Sequence, residues 1–237
     1  MKNAHRPIAA AFGPRSPSLW LAAGTLAAAM ALSAGTARAE SQAVAGAGTA
    51  RAKLNFQIVI PTFLYLQVGT GTYPTTVGTV DQIIFDMTSA ISSIGNGAAQ
   101  NGTGGDGSGA GAVTARIVGN GFTAASYSFS ATTTGALSNG SGNTISWSEI
   151  VLASGSPSAV TVVPAAVSVL QHPGTAAAPF ADGATTTVSL TPISKVINQA
   201  AKWTFQYKNT NIPSAGTYGV NGATLNGGQV TYAITMP

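Results

Sequence analysis

The stretch Lys202-Trp203-Thr204-Phe205-Gln206-Tyr207-Lys208 decides the fold class. Trp203, Phe205 and Tyr207 alternate strictly with Lys202, Thr204, Gln206 and Lys208, which is the two-residue period of a half-buried β-strand. The chain ends on a second copy of the pattern: Val230, Tyr232, Ile234 and Met236 alternate with Gln229, Thr231, Ala233 and Thr235. Working back, Tyr127, Phe129 and Ala131 alternate with serines within a strand expected over 122–133, and 112–118 and 185–190 also read as strands. Over 144–152 the alternation predicts one strand placing Ile145, Trp147 and Val151 on one face. Val77–Met87 is a further strand candidate on its β-branched content and flanking glycines, and Phe63–Val68 resumes the ladder that Pro61 interrupts. The prolines at 157, 164, 173 and 179 keep the intervening strands short. Short strands separated by turn signals, with no sustained helical period after residue 39, predict an all-β sandwich or barrel of antiparallel strands, as a single domain over 53–237.

The amino terminus reads as a secretory signal peptide, 1–39. Lys2, Arg6 and Arg15 form a positive n-region, Leu19–Leu32 is shorter than the ~20 apolar residues of a membrane span, and Ala37-Arg38-Ala39 is a small-x-small processing site. The expected mature chain begins at Glu40, and 40–52 is a small-residue flexible segment. The expected location is secreted, extracellular or at the cell surface by way of a periplasm, with no stable membrane span after processing.

Processing changes the charge balance. The full chain carries a formal charge of +4, but Lys2, Arg6, Arg15 and Arg38 leave with the signal, so six basic residues face six acidic ones. No basic stripe survives, which excludes nucleic acid as an expected partner. Charged residues make up 7% of the chain, against ~25% in an ordinary soluble domain. Such a surface offers little electrostatic resistance to self-association. There is no Cys, so the fold relies on its core rather than on disulfides.

Candidate chemistry is sparse. His172, in Gln171-His172-Pro173-Gly174, is the one imidazole after residue 39, and its context reads as a turn. Asp86 with Glu149 is the least unfavourable carboxylate pair for glycoside chemistry, against the plainer reading of surface acids or one satisfied buried Glu. Gly102-x-Gly104-x-x-Gly107 matches a dinucleotide fingerprint by letter, but it falls in the glycine-dominated loop 95–111, where no helix is expected to follow. Asp106 in that loop is a lone acid where calcium wants several oxygen ligands. Trp203, Phe205 and Tyr207 fit the core face of a strand better than a sugar-stacking platform. No catalytic residue, cofactor or metal is therefore expected.

Lys53–Ile60 is the remaining candidate. Leu54, Phe56, Ile58 and Ile60 share one face, opposite Lys53, Asn55 and Gln57. Two readings stand: the first strand of a self-complete fold, or an assembly strand that completes another subunit by β-augmentation.

KLNFQIVIP near the mature start, TTTGALSNGSGNTISW in the middle and WTFQYKNTNIPSAGTYGVNGATLNGGQVTYAITMP at 203–237 are similar to secreted bacterial proteins of the spore-coat-U and fimbrial-subunit kind, above all over 53–68 and 203–237. The chain differs from common pilins in lacking their Cys pair and in placing Tyr232 short of the penultimate position. The resemblance implies an immunoglobulin-like or pilin-like β-sandwich of antiparallel strands, and a fibre, pilus or matrix subunit that associates with itself or other exported subunits, served by a periplasmic chaperone. The alternative expectation is a monomeric secreted binding module for carbohydrate.

Overall fold

The computed structural model describes residues 41–123 and 126–236. The signal segment 1–39 and Glu40 lie outside the described residues.

The described chain has strands, two short 3-10 turns and no α-helix. The first strands are β1 (Leu64–Val68), β2 (Ile83–Ile84), β3 (Gln100–Asn101), β4 (Thr103–Gly104) and β5 (Ala112–Asn120). The middle of the chain supplies β6 (Tyr127–Thr133), β7 (Leu137–Ser138), β8 (Thr144–Ile145), β9 (Ile150–Leu152) and β10 (Ser168–Val169). The last three are β11 (Thr185–Leu190), β12 (Val196–Tyr207) and β13 (Val230–Ile234). One sheet runs β1-β5-β12-β10, with β3 and β9 also on β12; the second runs β11-β6-β13. All pairings in these sheets are antiparallel except the short β10–β12 pair. The fold is all-β and sandwich-like, as the alternation predicts.

The long strand β12 is the spine. Val196–Thr204 pair with β5, then Phe205–Tyr207 pair with β9. Its inward side chains Trp203, Phe205 and Tyr207 are buried, so they form the core face and not a platform. Phe129 of β6 lies across the sandwich with its ring centroid 6.2 Å from that of Trp203. Two residues past the end of the strand, Asn209 is fully buried at φ +58°, a left-handed conformation that Asn tolerates. Its Oδ1 accepts from the Gly95 N–H and its Nδ2 donates to the Ser93 carbonyl. The central strand β5 is buried on both faces. Its outward Arg116 is covered by the 163–164 segment, donating to the Val163 and Pro164 carbonyls at 2.9 and 2.7 Å and lying over the Tyr73 ring.

Three expectations are corrected. The strand foreseen over 144–152 is broken by a 3-10 turn at Trp147–Glu149, which a Ser146 side-chain cap starts. That turn repeats at three residues rather than two, so Trp147 is buried together with Ile150 and Leu152, while Val151 is only half-buried. In the Val77–Met87 candidate, only Ile83 and Ile84 join a ladder. Lys53–Ile60 contains no strand at all. Phe56 and Ile58 are 86% and 85% exposed, and Leu54 and Ile60 are nearly as open. Apolar alternation provides a face, but a strand needs a partner for its N–H and C=O groups.

The chain divides into two compact units at Val59/Ile60. In the first, residues 41–59 are exposed throughout, with the Arg51 N–H donating to Gln42 Oε1. The second, from Ile60 onward, carries every strand found among the described residues.

Candidate functional site: an open groove between two sheet edges

The two sheets leave an apolar row uncovered. Leu64, Leu66 and Val68 of β1 and Val230, Tyr232 and Ile234 of β13 pack against the core, yet all six are only half-buried. Within the described sheets β1 is paired with β5 alone and β13 with β6 alone, so each has one unpaired edge. Leu66, Val68, Val230 and Tyr232 line a groove of about 1470 Å³, whose walls also include the core rings of Trp147 and Phe205. A half-buried apolar row beside free backbone N–H and C=O groups can accept an extended chain, whose alternate side chains fill the groove while its backbone joins the ladder.

Behind Tyr232 sits His172, 4% exposed and therefore a core residue rather than an open turn residue. Its ring meets Trp203 edge-to-face at 4.7 Å and Phe180 at 5.1 Å. The Gly174 N–H donates to Nδ1 at 3.0 Å, which puts the ring proton on Nε2, 3.1 Å from the Tyr232 hydroxyl. Burial lowers the imidazole pKa to about 4, outweighing the Gly174 contact. Burial also pushes the Tyr232 phenol up, so both stay neutral at pH 7. The turn behind the ring requires glycine: a Cβ on Gly174 would meet the carbonyl oxygens of Ala178 and Pro179.

The carboxylates have separate tasks. Glu149 is buried and accepts from the Thr210 N–H and hydroxyl and from Asn211 Nδ2, the satisfied-Glu arrangement. It closes the 208–211 turn, where the Lys208 N–H donates to its own carbonyl. Asp86 lines the groove rim, exposed, with its carboxyl pulled below the usual range by hydrogen bonds from Thr88. No hydrogen bond or shared partner links Asp86 with Glu149.

Asp106 is the organiser of its loop. Its carboxylate accepts from the Ser108 and Thr114 N–H groups, and these bonds outweigh the raising effect of burial to pull its pKa down. The loop expected at 95–111 is thus an ordered one, carrying β3 and β4. The glycine fingerprint at 102–107 lacks the helix it needs, since β5 follows. Among the described residues no group of three His, Cys, Asp or Glu side chains could hold a metal ion. No helix there is long and apolar enough to cross a membrane.

Replacing Glu149 by Ala is expected to destabilise by ~1–3 kcal/mol, because the hydrogen bonds that its buried carboxylate accepts from Thr210 and Asn211 are lost. Urea denaturation measures this, and an unchanged midpoint would contradict the structural role.

The sequence reading did not single out the groove. Parity marks Val230, Tyr232 and Ile234 as one face, but only the absence of a covering strand makes that face a site. No protein-family model, curated protein or solved structure matches the chain.

Proposed function

We propose that this chain is an exported, non-enzymatic structural subunit that joins copies of itself by strand addition, building a surface fibre or matrix. In the joined state Leu54, Phe56, Ile58 and Ile60 of one copy fill the groove between β1 and β13 of the next, and their backbone pairs with an open edge. The observation that carries the reading is the uncovered apolar row with two unpaired edges, in a chain that also exposes an alternating apolar segment of matching kind. Export rests on the signal pattern of residues 1–39.

The magnitudes are adequate. Burying four large apolar side chains gains ~1.5–3 kcal/mol each, against ~4–15 kcal/mol lost on association. Backbone bonds to the edge add ~1 kcal/mol each and decide the outcome. With charge balanced after processing, long-range repulsion does not oppose contact.

Sedimentation of the secreted protein tests this. The wild type should form chains that grow with concentration, and a Phe56→Asp/Ile58→Asp variant should remain monomeric yet unfold at the same urea concentration. A wild type that stays monomeric, or a double variant that assembles unchanged, would sink the proposal.

A further inference from the structure

One wall of the groove is a segment of the chain that barely joins a ladder. Along 81–87 exposure alternates: Asp81, Ile83, Phe85 and Met87 are half-buried, whereas Gln82, Ile84 and Asp86 are exposed. Ile83, Phe85 and Met87 pack against the core and line the groove, with the Phe85 ring 6.2 Å from that of Tyr207. In side-chain pattern this is a strand, but its backbone is barely paired. Only Ile83 and Ile84 have ladder partners, Gly104 and Thr103, extended by the Gly105 N–H to the Gln82 carbonyl.

The pattern has a counterpart elsewhere in the chain. Ile83-x-Phe85-x-Met87 repeats the spacing, aromatic centre and aliphatic flanks of Leu54-x-Phe56-x-Ile58. Two segments of one chain thus present the same three-position apolar face, one lining the groove and one open to solvent.

We infer that residues 81–87 form a resident strap, a stand-in for the assembly strand that walls the groove of an unassembled copy and is displaced when 54–58 of another copy enters. This inference rests on the strand-addition reading and adds the regulation of its acceptor site. Exchanging one Phe-centred apolar triplet for another leaves apolar burial nearly balanced. The direction is then set by backbone pairing: the strap has a two-residue ladder, whereas the open edge of β13 extends over five residues. The strap therefore narrows the groove before assembly without competing strongly once a better-paired strand arrives.

A clamp holds one end of the strap. The Asp81 carboxylate accepts from both the N–H and the hydroxyl of Thr70, the latter at 2.8 Å. Gly69 makes room for it at φ +96°, where a Cβ would collide with that carboxylate. At the other end Asp86 accepts from the Thr88 N–H and the Ala90 N–H donates to the Met87 carbonyl, so the chain turns away from the groove.

A reversible lock tests the strap in the full chain. Ile84 and Thr103 are opposite each other in the β2–β4 ladder and both are exposed. Opposed antiparallel residues have Cα atoms ~4.5–5.5 Å apart, within the ~4.4–6.8 Å of a disulfide, and the chain has no other Cys. An Ile84→Cys/Thr103→Cys variant, oxidised with glutathione disulfide, should assemble at least tenfold more slowly than the same protein after reduction. It should lose capture of a labelled synthetic peptide of residues 53–60 to the same degree. Reduction restores both, which separates locking from misfolding. An Asp81→Ala variant, which opens the clamp, should assemble severalfold faster than wild type. Equal rates and equal peptide capture by the oxidised and reduced forms would overturn the strap while leaving strand addition standing. A wild type that neither assembles nor captures the peptide would overturn the strand-addition reading, and the strap with it.

Discussion

Trp203→Ala is expected to destabilise the β-domain by ~3–5 kcal/mol, the usual cost of truncating a large buried aromatic residue. Trp203 has no exposed surface. Its ring lies against Phe129, His172 and Tyr232, with the Tyr232 centroid at 5.5 Å, and its Nε1–H donates to the Leu170 carbonyl at 3.1 Å. Alanine leaves a cavity where both sheets meet and a buried carbonyl without its donor. Total stability of such a domain is ~5–15 kcal/mol, so the loss is a large fraction of it. At ~2–4 °C per kcal/mol for a chain of this length, the melting temperature should fall by roughly 10 °C. Trp203→Phe, which keeps most of the packing but not the donor, should lose clearly less. Urea and thermal unfolding measure both variants. A loss near zero for Trp203→Ala, accompanied by weakened glycan binding, would return the aromatic row to the role of a sugar platform.

Acidification should weaken the fold through His172 before Asp86 or Asp106 contributes. The imidazole pKa is about 4 in the folded chain, against ~6.5 when unfolded. The folded state therefore binds the proton less well than the unfolded state. Its full stability is present above pH ~6.5 and falls as the pH drops from there to about 4, by about 3 kcal/mol in all. The structural reason is that protonation places a charge inside a nest of aromatic rings, shut off from water. Asp86 and Asp106 have lowered pKa values, so their contributions are present above the ordinary carboxylate value and are lost only below it. The window between pH 4 and 6.5 thus isolates His172. Unfolding free energies of wild type and a His172→Gln variant across that window provide the check. The wild type should slope and the variant should be flat; parallel curves would refute the assignment.

Much of the scaffold was legible from residue order. A period of two is enough to assign Tyr127, Phe129 and Ala131, or Trp203, Phe205 and Tyr207, to one face, and burial of aromatic area then fixes that face inward. The period fails where the backbone changes geometry: Ser146 caps a 3-10 turn, and the inward set moves from Val151 to Ile150 and Leu152. It also fails where environment is the question. Nothing local to Gln171-His172-Pro173-Gly174 tells a surface turn from the aromatic nest made by residues of β12, β13 and the segment around Phe180.

Residue order by itself determined the class of fold, the balance of charge after residue 39, and the alternating face of Leu54, Phe56, Ile58 and Ile60. Tertiary structure alone decided that this face has no strand around it, and that β1 and β13, more than a hundred and sixty residues apart, leave an uncovered row of similar character. The physical reason is that alternation is a property of one strand, whereas a sheet edge is a property of the strands beside it.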